Sequence, residues 1–430
     1  MKKCPRVRIV IVDGYSTGRE LLRELLEREV ECFHLRSSRD LPDAVSACFD
    51  PRPYDGDLGH LGSVAQAAEA LRSLNPDLVV AGSEWGVSFA ERLAAQLGLP
   101  TNRRETTAAR RDKFEMIEAV RRRKLLAPQQ AAIGNVAEAV AWATAHDTWP
   151  VIVKPLDSAG SDGVTACRSL QEVAAAATRE LGRRNFMGCV NDRVLLQSYL
   201  PGPQFIVNTV SWGGAHYVTD VWSMTVGLRD GSVVPGGIHL CDPQGMRTRS
   251  LIAYTLETID ALGIENGPAH TELKWTPDGP ALIETGARLM GAAMDEPSYT
   301  AAGMRTQAKV FADVIAGCAH DRAAILAERQ FRMRRHMSKV LFNFAQDGVI
   351  AHTAGLERLR SLRSFHAHYR ALPAGSRVWR TSDWLACGGV IYLVHDDAGQ
   401  IASDIETIRC WEQAGALYAV TPSRPLALTA

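Results

Sequence analysis

Apolar residues run almost unbroken from Val7 to Val12 and again from Leu78 to Ala81, and each run gives way to a stripe with helical spacing. Runs of this length without polar alternation suit strands covered on both faces. A turn bracketed by Gly14 and Gly18 follows the first, with Ser16 or Thr17 as cap and Leu21, Leu22, Leu25 and Leu26 on one helical face. Val87, Ala90, Leu93, Ala94 and Leu97 repeat the arrangement after the second. Strand alternating with helix predicts a parallel sheet. Residues 107–124 then read as one helix, with Phe114, Ile117 and Val120 apolar and Lys113 near its start. A second helix over 136–146 leads to a strand at Val151–Lys154. From 194, "VLLQSYLPGPQFIVNTVSWGGAHYVTDVWSM" predicts antiparallel strands broken by Pro-Gly-Pro and Gly213-Gly214. A last α/β piece holds "GGVIYLVHDD" and "DIETIRCWE".

Between His270 and Arg288 the alternation becomes informative. "TPDGP" is a turn signal, and a three-residue loop of Pro277, Asp278 and Gly279 sets Thr276 against Pro280, Lys274 against Leu282 and Glu272 against Glu284. Leu273, Trp275, Ala281 and Ile283 then share the opposite, core-facing side. Like charges directly opposed cost a sheet about 0.2–1 kcal/mol. A hard divalent cation would reverse that sign. On the hairpin alone, a solvated face softened by Lys274 accounts for the pair as well as a metal does, and a one-residue slip would separate it.

Length and composition narrow the class. A chain of 430 residues exceeds one ordinary core, and its 46% apolar and 22% charged residues are those of a globular protein. Lys plus Arg and Asp plus Glu each total 48, so bulk electrostatics offers no hold on nucleic acid; Arg121 to Lys124 reads as a solvated helix end. Nine cysteines without a C-x-x-C pair fit reduced thiols, and no run of 18 apolar residues is present to span a membrane. The expectation is a soluble, cytoplasmic protein.

In "PVIVKPLDSAGSDGV" a buried-looking strand exits at Lys154 into a loop rich in Gly and Ser. A strand-end lysine reaching solvent is the plain explanation. Beside a metal-binding carboxylate pair, the same features suit a nucleoside triphosphate. Backbone N–H groups around Gly160 and Gly163 and the hydroxyls of Ser158 and Ser161 can receive phosphate oxygens. The loop is not a G-x-x-x-x-G-K-[ST] phosphate loop, and "DGYSTG" lacks the G-x-G-x-x-G of a dinucleotide site.

In the order "VDGYSTG", "VVAGSEWGVSFAERLAAQLGLPTN", "RRDKFEM", "PVIVKPLDSAGSDGV", "LLQSYLPGPQF" and "HTELKWTPDGPALIETGARLMG", the chain resembles the ATP-grasp ligases, and within them the L-amino-acid ligase (dipeptide-forming) branch. The resemblance covers nearly the whole length. It implies an α/β ATP-grasp fold with an N-terminal parallel-sheet domain at 1–105. A small subdomain carrying the phosphate loop at 106–197 and a large subdomain with the metal-binding hairpin at 198–325 form the antiparallel centre, and a C-terminal α/β subdomain fills 326–430. It makes Lys113 and Lys154 the phosphate lysines, and Gln197, Tyr199 and Leu200 the adenine hinge. Gln204 takes the place of a frequent ribose-binding glutamate. Glu272 and Glu284 become ligands of Mg²⁺, with Mn²⁺ as its alternative. Gly286 stands where many relatives carry a metal-binding Asn, so water or phosphate must complete the shell. Arg288 would face the acyl phosphate, with His239, Gly291 and Ala292 near the substrate. Ala292, four residues past Arg288, shares its side if a helical turn begins there.

The chemistry so implied is ATP-dependent joining of a carboxylate to an amine through an acyl phosphate, releasing ADP and phosphate. The partners are the two small-molecule substrates, and a homodimer is what the family resemblance adds. A non-amino-acid donor, an unusual amine acceptor and a nucleotide-binding regulator without turnover are the competing expectations.

Overall fold

The computed structural model describes residues 7–41, 49–229, 232–292, 294–381 and 387–422. β1 (Arg8–Val12), β2 (Glu31–Leu35), β3 (Gly56–Asp57) and β4 (Leu78–Ala81) form the expected parallel sheet in the order β3-β2-β1-β4. The stripe on α1 (Gly18–Leu26) is buried through Leu25, whereas Leu26 is exposed. Helices α2 (Val64–Leu71) and α3 (Val87–Leu97) cover the sheet through Ala67, Ala68, Leu71, Ala90, Leu93 and Ala94. α3 ends on Gly98 at φ 71°, a left-handed cap that glycine adopts without strain.

The predicted helix over 107–124 is shorter. One 3₁₀ turn at Ala108–Arg110 precedes α4 (Lys113–Arg122), because the Asp112 side chain accepts from the N–H groups of Phe114 and Glu115 and starts the helix there. Its basic end, 121–124, is solvated as expected. β5 (Gln130–Ile133), α5 (Val136–His146), β6 (Val151–Pro155), β7 (Thr165–Cys167), α6 (Leu170–Glu180) and β8 (Val194–Ser198) follow, and the strands form an antiparallel sheet in the order β5-β8-β6-β7. Its core of Val151, Val153, Val173, Val194 and Leu196 has no solvent exposure. Burying side chains of this size yields about 1.5–3 kcal/mol each, which fixes the strand that carries Lys154.

The chain divides into two compact units. The first comprises Met1–Val221, Gln244–Ala292 and Gln307–Phe331. Besides the two sheets above it holds β9 (Gln204–Trp212), the beginning of β10 (Ala215–Arg229), α7 (Met246–Ala261), and the antiparallel β12 and β13 described below. The second unit comprises Trp222–Pro243, Ala293–Thr306 and Arg332–Ala430. There β11 (Ser232–Leu240) pairs with β14 (His336–Leu341), β14 with β16 (Val390–His395), and β16 with β15 (Phe365–Tyr369). A core of Val340, Phe342, Ile391, Leu393 and Ile408 packs that sheet against α8 (Ala398–Gln413), a helix expected from "DIETIRCWE". Among the described residues no helix is long and apolar enough to cross a membrane, and Cys167, Cys189, Cys318 and Cys410 are free thiols. Cys4 and Cys48 lie outside the described residues.

Candidate active site

β12 (Gly267–Thr276) and β13 (Gly279–Gly286) form the hairpin that alternation predicts, with a different turn. Pro277 and Asp278 alone make the loop, so Thr276 pairs with Gly279 and Lys274 with Ala281, one residue out of the expected register. A bulge beyond Leu273 and Leu282 then inserts Ile283 and restores the phase, and Glu272 stands opposite Glu284. Consequently Leu282 is fully buried opposite Leu273, in the place expected of Ile283, and Ile283 lines the cavity with the two glutamates. Glu272 accepts from Gln204 Nε2 at 2.8 Å and lies 3.2 Å from His270 Nε2.

That cavity, about 240 Å³, is lined by Lys113, Lys154, Ser158, Gln197, Tyr199 and Glu284 among others. Lys154 leaves β6 only 5% exposed, and its ammonium forms no hydrogen bond or ion pair among the described residues. Burial, reinforced by the Lys113 charge, pulls it down to about 8 from the ordinary 10.5, although Glu284 and Glu272 work the other way. A buried cation without a partner is costly unless an anion joins it. Lys113, the first residue of α4, donates to the Ser158 carbonyl at 2.6 Å and sits 3.2 Å from Glu284 Oε2. Burial would raise the Glu284 carboxyl, but Lys113 and Lys154 outweigh it and hold the group ionised below its usual range.

The loop after β6 departs from expectation at its glycines. Ser158, Ala159, Ser161 and Asp162 line the cavity, whereas Gly160 and Gly163 do not. Gly160 and Gly163 serve the turn, at φ 66° and 70°. A Cβ on Gly163 would come within 2.5 Å of Glu180 Oε2, so this glycine is needed for close approach to α6. Asp162 pins the loop by accepting from Ser158 Oγ, Arg183 and the Phe186 N–H.

At the other end lie Gln197, Ser198, Tyr199 and Leu200. Gln197 is buried and donates to Gln130 Oε1 at 3.2 Å, while Tyr199 is 43% exposed. Gln204 also lines the cavity; one N–H of its amide is committed to Glu272, which leaves its oxygen and the second N–H for a ribose hydroxyl.

Arg288 is held by a network that sequence reading missed. Its Nε donates to Glu84 Oε2 at 2.6 Å and its Nη1 to the Leu289 carbonyl at 2.9 Å. Glu84 also pairs with Arg111, and Arg111 with Asp157 at the root of the phosphate loop. The available signal was position: Glu84 follows the carboxyl end of β4, where open α/β sheets gather functional side chains. The helical turn expected after Arg288 is absent, since 291–292 form a bend; Gly291 is exposed and Ala292 half-buried.

His239 belongs to the second unit, on β11. Its Nδ1 lies 2.9 Å from Ser338 Oγ and its Nε2 3.0 Å from Thr225 Oγ1. Thr225 donates to the Gly237 carbonyl, so it accepts from Nε2–H and Ser338 donates to Nδ1. Burial and then Arg409 lower the histidine below its usual range, in keeping with that neutral ring.

The donor set fits a hard cation: two carboxylates opposed on adjacent strands, with a second-sphere amide on one. Among the described residues no group of three or more His, Cys, Asp or Glu is placed to hold a metal, so substrate oxygens or water must complete the shell.

Comparison with known proteins agrees with this geometry. Residues 148–296 match the ATP-grasp domain family. Dapdiamide A synthase of Enterobacter agglomerans is 33% identical over 288 residues, which are 66% of this chain and 68% of that protein. Among solved structures, the L-amino acid ligase from Bacillus licheniformis superposes with a TM-score of 0.73 at 16% identity, covering 98% of this chain and 100% of that one. Phosphoribosylglycinamide synthetase from Anaerococcus prevotii gives 0.65 at 13%, covering 97% and 100%. At those identities the structural likeness speaks for the fold.

Proposed function

The chain belongs to the ATP-grasp family and is an ATP-dependent carboxylate–amine ligase, and on that premise we propose that it joins an amino-acid carboxylate to an amine as an amide. One observation carries the site assignment: the buried, unpaired Lys154 faces the same cavity as the opposed Glu272 and Glu284. ATP occupies this cavity, its base toward Gln197, Tyr199 and Leu200 and its phosphates toward Lys113, Lys154 and the loop of Ser158 and Ser161. A divalent cation, Mg²⁺ or Mn²⁺, would be held by Glu272 and Glu284 and would offset triphosphate charge. The donor carboxylate attacks the γ-phosphorus, the bond to the β-phosphate oxygen breaks, and ADP leaves behind an acyl phosphate. Lys113 and Lys154 balance charge during that in-line transfer. The amine then attacks the acyl carbon, Arg288 receives the oxyanion, and phosphate departs as the amine loses its proton. No protein nucleophile is needed. The boundary near 105 belongs to the same proposal, falling between the sheet strands Leu78–Ala81 and Gln130–Ile133, whereas 197 falls inside β8 (Val194–Ser198) and 325 inside the helix Ala319–Ala327.

A non-amino-acid donor is the second reading. The chain three and four residues past Arg288 leaves room for it: a Cβ on Gly291 would meet nothing within 4 Å, and Ala292 is small. Phosphate release over a grid of carboxylates and amines, with mass spectrometry of the product, tests both. Release that requires one acid and one amine is expected; ATP hydrolysis indifferent to both, or nucleotide binding without turnover, would overturn the ligase assignment.

A further inference from the structure

His270 lies outside the roles assigned so far, yet it touches the site. Its Nε2 is 3.2 Å from Glu272 Oε1, and its Nδ1 is 2.8 Å from Asn208 Oδ1. Asn208 in turn donates from Nδ2 to Asp220, which also accepts from Thr219 Oγ1 at 3.0 Å. Asp220 and Asn208 are fully buried and His270 is 7% exposed. The direction of each link follows from its chemistry. The Asp220 carboxylate accepts, so the Asn208 amide must turn its NH₂ toward it and its oxygen toward the ring. That oxygen accepts in turn, so Nδ1 carries a hydrogen and the ring cannot flip without setting carbon against Asn208. Nε2 is thereby aimed at Glu272, a carboxylate that only accepts, so this link is a hydrogen bond in the ring form that carries a hydrogen on both nitrogens; the other Glu272 oxygen is held by Gln204 at 2.8 Å.

We propose that His270 is a positioning residue for metal binding: the column Asp220–Asn208–His270 fixes the Glu272 carboxylate opposite Glu284. This rests on the reading of Glu272 and Glu284 as the metal ligands. His270 is not itself a third ligand, since one ring nitrogen is committed to Asn208 and the other to Glu272. A glutamate side chain swings freely about several bonds, and a carboxylate held at both oxygens has lost that freedom before the ion arrives. Partners of this kind typically change metal affinity by about 10–100-fold when removed.

The experiment measures Mn²⁺ binding to the full chain with saturating ADP, by electron paramagnetic resonance, in four proteins. His270→Gln places an amide donor near the position of Nε2, whereas His270→Asn places one near Nδ1 and leaves Glu272 without its partner. The expected result is about 10–100-fold weaker Mn²⁺ binding for His270→Asn and recovery to within about threefold of the parent for His270→Gln. A merely structural role predicts the opposite order or equal losses, since the asparagine variant keeps the link to Asn208; either result would overturn the proposal. Glu272→Gln, the third variant, separates the two readings. If it abolishes binding while His270→Asn does not, only the positioning role fails; if it leaves binding intact, the metal site and the positioning role fail together. A circular dichroism spectrum and melting temperature taken on each variant exclude misfolding as the source of a loss, and because His270→Gln must outperform His270→Asn, the comparison holds even if both are somewhat destabilised.

Discussion

Arg288 Nε meets Glu84 Oε2 at 2.6 Å, and the same carboxylate is shared with Arg111. The cation assigned to the acyl oxyanion is therefore oriented by a carboxylate from just beyond β4. Burial alone would raise the Glu84 carboxyl, but Arg288 and Arg111 outweigh it and bring the group to about 2 from an ordinary 4.5.

Glu84→Gln should cost about 3 kcal/mol of stability at pH 7, because the ionised form is favoured in the folded state. The sign follows from the lowered value. The contribution is fully present above pH 4.5 and is lost as pH falls from there toward 2. Urea unfolding of parent and variant at pH 7 and at successively lower pH measures it; a difference that stays constant down to pH 2 contradicts the assignment. With Arg288 released, turnover should fall by about 10–100-fold.

Glu272→Gln and Glu284→Gln should both reduce ADP formation by about 100-fold or more. Their effects on stability should differ. Relief of a like-charge pair is worth about 0.2–1 kcal/mol, so Glu272→Gln should leave the nucleotide-free melting temperature unchanged or raised. Glu284→Gln also removes the partner of Lys113 and should lower it. Calorimetry on the three proteins decides this, and equal melting shifts would contradict it.

Lys154 makes the nucleotide-free protein stabler in alkali. The group is at about 8 in the folded chain and 10.5 when exposed, so the folded state sheds its proton first. Stability from this group therefore rises between pH 8 and pH 10.5, by about 3 kcal/mol in total. Lys154→Met should melt higher than the parent at pH 7, lose that pH dependence, and be inactive. ATP favours the charged lysine, so binding near pH 8 should take up a proton and weaken as pH rises. Titration calorimetry in two buffers of different ionisation enthalpy reads that uptake, and zero uptake would count against Lys154 as the phosphate cation.

Deleting Ile283 removes the bulge but leaves the two glutamates opposite each other, because Glu284 then moves into the phase set by the turn. Mn²⁺ affinity should stay within about threefold. Nucleotide affinity should fall by about tenfold, since one apolar wall of the cavity is lost. Retained nucleotide binding with lost metal binding would reverse that reading.

The carboxylate pair was legible in the sequence, though for a partly mistaken reason. Alternation and a turn signal set Glu272 against Glu284, yet the turn is one residue shorter than expected and Ile283 compensates. A bulge leaves no mark in period-two patterning, because an extra β-branched residue looks like one more strand position. Lys154 was legible because a cation ending an apolar run is locally anomalous. The helix start was legible too and went unused: Asp112 followed three residues later by Glu115 is a capping pattern, which argued against a helix from 107.

What stayed hidden depends on partners far along the chain. Nothing local in the sequence singles out Glu84 or Arg111; only the fold sets them against Arg288 and Asp157. Gly163 read as a phosphate-binding glycine, and only the position of Glu180 reveals that its missing side chain makes room for a neighbour. His270 looked like a strand residue until Asn208 and Asp220 appeared behind it.

The loop after β6 is tied down at both ends, at Asp157 through Arg111 and at Asp162 through Arg183. Four residues, 158–161, lie between those anchors. Ordering them over a bound ligand costs about 4–8 kcal/mol of backbone entropy, where a freely hinged seven-residue flap would cost about 7–14 kcal/mol. If the proposed phosphate loop closes over ATP, these two anchors would shorten its stroke and reduce what water exclusion costs in binding strength.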